Sequence, residues 1–347
     1  VTDIPAVRDA LALSLLPGVG PAEFRARVDA AGQATAALDR VPPAQAAEVR
    51  MRADALLERG ARVGATCVAL GAPAYPPALG DLRAAPPVLW MRGTPALAAL
   101  RSVAIVGTRR ASSVGVRVAR SLAVACAESG IGVVSGLALG IDGAAHEGAL
   151  EGQGATVAVL GTGVDIAYPP RHRALQERIA AEGLLLSEVP PGERGHAGTF
   201  PQRNRIIAAL SEVTVVVEAG RESGALITAR VAQELDRTVC AVPGSVLAPE
   251  CAGSNALIQD GVQVLCSPDD LLAELRIVRR SSAAPSLEGD AAACWDALQS
   301  GTADVTMLAA RSGLDVRRAN VALAVLELHG LIEVDALGIV RPLVTAG

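Results

Sequence analysis

From about residue 66 to residue 275 the chain repeats one pattern: a short apolar run, a loop of small residues, then a helical stretch. Candidate strands are Arg62–Leu70, Val88–Arg92, Val103–Val106, Gly132–Ser135, Thr156–Leu160, Leu184–Ser187, Val213–Glu218, Thr238–Val242 and Val262–Leu265. Several are short β-branched apolar runs without polar alternation, as expected of strands covered on both faces. Strand and helix in alternation predict a doubly wound α/β domain with a largely parallel sheet. Ligands of such sheets bind beyond the carboxyl ends of the strands, so the loops after those strands are the candidate functional segments.

Composition narrows the chemistry. Aromatics are 2% of 347 residues, too few for a stacking platform of the kind that grips unpaired bases. All 31 cationic side chains are Arg, which excludes a P-loop lysine, a Schiff-base lysine and a lysine general base. The net charge of −5 argues mildly against a polyanionic partner, but its distribution does not. Leu82 to Ala127 contains seven Arg and no acid, so the rest of the chain carries −12. A polyanion meets the local field rather than the total. The six Cys are scattered without a C-x-x-C pair, as buried thiols in a reducing compartment would be, and the four His are far apart. Neither pattern suggests a metal site, and no cofactor is called for. The acid-bearing VTDIPAVRD start lacks the basic region of a signal peptide, and no apolar run reaches membrane-spanning length; the expectation is a cytoplasmic protein with no membrane contact.

Two flanking regions read differently. Residues 1–65 have helical periodicity around Leu15-Leu16-Pro17-Gly18-Val19-Gly20-Pro21, a turn that suits a helix-hairpin-helix whose Gly amides approach a phosphate, or equally a tight turn in a small bundle. Residues 276–290 form a polar Ser/Pro-containing linker. Residues 291–347 read as three helices and a hairpin, a winged helix-turn-helix. Its candidate recognition helix carries Arg317 and Arg318 but also Glu327 and is mostly apolar, so it suits a partner-docking module at least as well as a DNA reader.

Five post-strand loops of the core carry the candidate chemistry. In the first, a strand ends at Gly107 and a helix starts near Ser112 or Ser113; Gly107 admits close approach, Arg109 or Arg110 can hold a phosphate in a fork, and the helix amides at Ser112 favour an anion. The G-x-G-x-x-G spacing of a dinucleotide site is missing. In the second, Asp142 and His146 stand four apart, either an acid–base dyad or, more simply, a capped helix with a hydrogen-bonded His. The third brings Tyr168, Arg171 and His172. The fourth opens a helix with Phe200, Arg203, Asn204 and Arg205, and the fifth offers Glu218, then Ser223, Gly224 and Thr228. Together they present many amides, hydroxyls and guanidinium groups. There is no G-x-S-x-G elbow, no Cys beside a His and no carboxylate pair, so no catalytic residue is assigned.

The runs VAIVGTRRAS, SGLALGIDGAAHEGAL, FPQRNRIIAALSE and VVVEAGRESGALITARVAQELDR occur in the order found in the DNA-processing protein A family, also called DprA or Smf, which the chain resembles over about residues 100 to 265. The helical front and the winged-helix tail are similar to that family's flanking modules. The resemblance implies an extended Rossmann-like core that binds single-stranded DNA, protects it and loads the recombinase RecA onto it in natural transformation, as a homodimer and without turnover. It implies that Gly107, Thr108 and Arg109 contact phosphates, that Phe200, Arg203, Asn204 and Arg205 line the same pocket, and that Ser223, Gly224 and Thr228 close it. Where His172 stands after Tyr-Pro the family commonly has Asn, which puts the pocket's third wall in question. The rival reading is a nucleotide-processing enzyme of the nucleoside-monophosphate phosphoribohydrolase type, using Glu218, or Asp142 with His146. The nearest stretch, EAGRESGALITA, lacks the paired Gly and terminal Glu of that class's P-G-G-x-G-T-x-x-E signature.

Overall fold

The computed structural model describes residues 4–196, 198–277, 287–298, 301, 303–328, 331–335 and 338–342. Most of the expected linker and His329 lie outside the described residues. The chain divides into two compact units, 1–278 and 279–347.

The first unit opens with four helices, α1 (Ile4–Ser14), α2 (Pro21–Ala31), α3 (Ala34–Leu38) and α4 (Pro43–Arg62). Gly18, at φ +78°, makes the α1–α2 turn, and α2 starts with Pro21 in its first turn. Then follow β1 (Thr66–Ala69), β2 (Val88–Gly93), β3 (Ser102–Val106), α5 (Ser113–Glu128), β4 (Gly132–Ser135), α6 (Ile141–Glu151), β5 (Thr156–Leu160), α7 (Arg173–Glu182), β6 (Leu184–Ser187), α8 (Thr199–Leu210), β7 (Val213–Val216), α9 (Gly224–Glu234), β8 (Thr238–Ala241), α10 (Ala252–Gln259), β9 (Gln263–Val264) and α11 (Pro268–Glu274).

Every expected strand is present, and β4, β5 and β6 have the expected limits. The first differs most: α4 continues through Arg62 and the strand begins only at Thr66. The helix ends at Val63, and Gly64, at φ +70°, turns the chain. The strands form one sheet in the order β1-β2-β6-β5-β4-β3-β7-β8-β9. All neighbours are parallel except β1 with β2 and β2 with β6, so β2 alone reverses the polarity within the sheet.

Both faces are covered. One apolar cluster joins β3, β5 and β6 side chains to α8 and α9, with Ile206, Ile207 and Ala229 buried. On the opposite face α5, α6 and α11 pack on Val103, Ile105, Val133 and Val215. The amino-terminal helices join the sheet through a third cluster, in which Leu11, Leu38 and Ala53 share a core with Trp90, Ala158 and Leu185. Trp90 is fully buried beneath Gly60, where an added Cβ would fall 2.5 Å from the indole. The order places β3 at the switch point: β4 follows it on one side and β7 lies on the other, so the loops after β3 and β7 diverge to opposite faces and leave a crevice between them.

The second unit contains α12 (Gly289–Leu298), β10 (Ala303–Asp304), α13 (Val305–Ser312), α14 (Val316–Leu328), β11 (Ile332–Val334) and β12 (Ile339–Pro342). Its sheet runs β10-β12-β11, antiparallel throughout, which is the winged-helix arrangement. Arg318 of α14 is held in a fork by Asp290, at 2.6 and 2.8 Å, so half of the expected cationic pair is already neutralised within the unit.

Candidate nucleic-acid interface

A cleft of about 1030 Å³ lies at the switch point. Gly107, Thr108, Arg109 and Arg110 form one wall; Phe200, Arg203, Asn204 and Ile207 of α8 a second; Gly220, Ser223, Gly224 and Thr228 a third. Tyr168, His196, Asp142 and Glu222 also line it. Four of the five expected loops therefore meet here through residues expected from the sequence, and the third contributes Tyr168 rather than Arg171.

The wall after β3 is held tightly. The Thr108 amide donates to the Glu218 carbonyl at 2.6 Å, and the Arg110 amide to the Thr108 hydroxyl at 3.2 Å. Gly107 is enclosed: a Cβ there would fall 2.5 Å from Ile141 and 2.7 Å from the Glu218 carbonyl oxygen. Ser112 caps α5 by accepting from the Gly115 amide at 3.0 Å. Its own amide and hydroxyl both donate to the Glu218 carboxylate, at 2.9 and 2.5 Å. The anion at the start of α5 is thus the protein's own, and Ser112 faces inward to Glu218 rather than offering a free phosphate site.

Arg109 and Arg110 are exposed, and neither forms an ion pair among the described residues. Of the seven Arg between Leu82 and Ala127, three are paired: Arg92 with Glu177, Arg101 with Glu212 and Arg120 with Glu147 and Glu151. The net positive field of the segment therefore falls on Arg83, Arg109, Arg110 and Arg117, of which two line the cleft. Beside them Tyr168 and Phe200 form a tilted ring pair with centroids 4.9 Å apart, and the Arg109 guanidinium lies 6.0 Å from the Phe200 ring.

The α8 residues sort by helical face. Phe200, Arg203, Asn204 and Ile207 share one side, at i, i+3, i+4 and i+7, and all line the cleft. Arg205 is two positions from Arg203, points elsewhere and is locked in a fork with Glu188 at 2.6 and 2.8 Å; it does not line the cleft. Arg203 is buried at the cleft floor. Its Nη1 donates to the carbonyls of Gly136 (2.7 Å) and Val159, at the ends of β4 and β5, and its Nε to Asn204 Oδ1 at 3.0 Å. Burial draws its pKa down to about 10, with Asp142 opposing and Arg109 adding to the shift, so it stays charged at neutral pH. Asn204 in turn donates to the Gly224 carbonyl at 3.1 Å, tying α8 to the start of α9, where Ser223 is the cap. Thr228 is buried behind it.

The Asp142–His146 pair meets the simpler alternative only in its hydrogen-bonded His: α6 is capped at Gly140 without a side-chain bond, so Asp142 is not its cap. Asp142 accepts from the Ala138 amide at 3.3 Å at the start of α6; burial raises its pKa, opposed by the Arg203 charge and that hydrogen bond. His146 is fully buried. The Thr156 hydroxyl donates to the Val133 carbonyl at 3.1 Å, so it accepts from His146 Nδ1–H at 2.7 Å, and the neutral Nδ1 tautomer is assigned. Burial drives the imidazole pKa down to about 3, with the Arg203 charge acting in the same direction. The unfolded chain takes up this proton near pH 6.5, whereas the folded chain does not until about pH 3. The stability present above pH 6.5 is therefore lost as pH falls, by about 1.4 kcal/mol per unit from this group. Urea unfolding at pH 6.5 and 5.5 should show most of that decrement, and His146→Leu should remove it.

His172 does not line the cleft; it bears on the loop before α6 instead. Its Nδ1 bonds to the Leu137 carbonyl at 3.0 Å, pinning the strained β4–α6 loop, where Leu137 has φ +56°, and its ring packs on Gly143. His196 and Glu222 line the cleft although neither is among the expected residues, whereas Tyr168 is the expected aromatic of the third loop. Scarce aromatics mark Tyr168 out in the sequence; His196 lies in a loop with no periodic signal.

A family model described as DNA recombination-mediator protein A matches residues 66–276, and one described as DprA winged helix domain matches residues 278–336. The chain is 46% identical over 207 residues to Protein Smf of Synechocystis sp., covering 58% of this chain and 52% of that protein, so the match spans about half of the relative's length. It is 39% identical over 259 residues to the putative DNA processing protein DprA of Mycobacterium tuberculosis, covering 72% of this chain and 67% of that one. Among solved structures, DNA processing protein A of Streptococcus pneumoniae aligns with a TM-score of 0.68 at 34% identity, over 77% of this chain and 95% of that one. DNA processing protein A of Helicobacter pylori, whose structure concerns its single-stranded DNA binding mode, aligns with a TM-score of 0.56 at 31% identity, over 61% and 95%.

Proposed function

Because the chain belongs to the DNA recombination-mediator protein A family, we propose that it binds single-stranded DNA without sequence preference in the switch-point cleft, protects it and delivers it to the RecA recombinase. The observation that carries this reading is the pairing of two unneutralised guanidinium groups, Arg109 and Arg110, with the Tyr168–Phe200 ring pair across one open cleft. Guanidinium groups hold backbone phosphates in a fork, and an aromatic pair accepts any base by its π-face. The likeness to the Helicobacter pylori protein supports the same ligand.

With few aromatics, affinity rests chiefly on phosphate contacts and falls steeply with salt. The core, residues 66–275, supplies the binding cleft, and a homodimer places two such clefts on one strand, raising avidity without new contacts. An enzymatic role for the two carboxylates of the rival reading fits their surroundings poorly: Glu218 does not line the cleft and is committed to Ser112, and Asp142 accepts from the Ala138 amide near Arg203. The test is fluorescence anisotropy with an oligo-dT strand and a matching duplex across a salt series. The strand should bind more tightly, and its affinity should fall linearly on a log–log plot. Equal binding of duplex and strand rejects the reading. RecA delivery is tested separately by RecA filament growth on a coated strand, which the protein should accelerate.

A further inference from the structure

Within this reading of the cleft, we propose that Glu218 is the positioning residue that sets the Arg109–Arg110 segment for phosphate contact by clamping both ends of it. The main-chain carbonyl of Glu218 accepts from the Thr108 amide at 2.6 Å, and its carboxylate accepts from the amide and hydroxyl of Ser112 at 2.9 and 2.5 Å. One residue at the end of β7 therefore brackets the segment between Thr108 and Ser112, with Arg109 and Arg110 between the two anchor points. The carboxylate is buried, in a space that exists only because residue 115 is Gly: a Cβ there would fall 2.5 Å from either carboxylate oxygen. Gly107 is matched in the same way to the Glu218 carbonyl.

The arrangement has an electrostatic consequence. The first turn of α5 offers unpaired amides and the positive end of its dipole, an anion site by default. Glu218 fills it with a fixed internal charge. The incoming phosphate is thereby left to the exposed guanidinium groups of Arg109 and Arg110 at the rim, rather than drawn inward to the helix start. The carboxylate touches no nucleic acid in this arrangement; it acts through the loop.

Glu218→Ala and Ser112→Ala test the clamp in the full chain. Ser112→Ala keeps the backbone amide bond to the carboxylate but also loses the α5 cap; it leaves the carboxylate in place and serves if Glu218→Ala fails to fold. Two readouts separate the clamp from the DNA reading. The first uses no DNA: amide hydrogen exchange at Arg110 and Ser112 should quicken at least tenfold in Glu218→Ala, and by less in Ser112→Ala, while the Thr108 amide keeps its main-chain acceptor in both. The second is the salt dependence of oligo-dT binding, whose log–log slope should flatten by roughly 0.7 for each phosphate no longer held, as a general loss of stability would not produce. Glu218→Gln, which keeps an acceptor for the Ser112 amide, should restore part of both. Unchanged exchange in a folded Glu218→Ala variant overturns the clamp, and so does quickened exchange with the parental salt slope. If the parent itself binds no oligo-dT, the DNA reading fails, while exchange still reports whether the loop is held.

Discussion

Replacing Arg109 and Arg110 together by Ala should weaken oligo-dT binding by roughly 3 kcal/mol, about a hundredfold, while leaving thermal stability unchanged. Both side chains are exposed at the rim of the cleft and neither is neutralised by an acid among the described residues, so removing them strips no buried charge of its partner. Exposed substitutions of this kind usually move stability by less than about 0.5 kcal/mol. The salt slope should fall by roughly 1.4, the counterion release of two phosphate contacts on a single strand. Arg→Lys at both positions should keep the charge and lose the fork geometry, recovering the slope better than the affinity. Anisotropy titrations at several salt concentrations read both quantities. An unaltered slope in the double alanine variant would show that the phosphates lie elsewhere.

Arg203→Ala should behave in the opposite way, with its main effect on the fold. The sequence places Arg203 beside Arg205 in one phosphate pocket, but its guanidinium is buried and bonded to the Gly136 and Val159 carbonyls and to Asn204. Its charge also offsets the buried Asp142 carboxylate. Truncation leaves those buried carbonyls without their donor, which costs about 1–3 kcal/mol of unfolding free energy for each unsatisfied group. Denaturant unfolding should show it as a lower midpoint. The double variant with Asp142→Asn should lose less than the sum of the two single changes, because the uncompensated carboxylate is gone. A folded, fully stable Arg203→Ala protein with impaired DNA binding would instead return Arg203 to the DNA-facing surface.

The contrast between Arg203 and Arg205 shows how far the chain can be read from sequence. Both follow from the same cue, a cation in a loop or helix start after a strand. Arg205 could have been set aside from sequence, because positions two apart on a helix do not share a face, whereas Phe200, Arg203, Asn204 and Ile207 do. The burial of Arg203 could not. It depends on β4 and β5 ending side by side, so that two strand-end carbonyls converge on one guanidinium, and on residue 136 being Gly, where any Cβ would run into that group. Ser112 and Glu218 are a second case: 106 residues separate them, and nothing local marks the carboxylate as the anion for α5.

Local patterning alone determined the strand and helix alternation, the doubly wound class, the winged-helix order and which loops would face the strand ends, since each follows from periodicity and turn residues within a short window. Tertiary structure alone decided which charges are free. Arg205, Arg120, Arg92 and Arg101 are neutralised by acids 17, 27, 85 and 111 positions away, whereas Arg109 and Arg110 are left open. Ion pairing depends on distances of a few ångströms between distant parts of the chain, and only the packed sheet sets those distances.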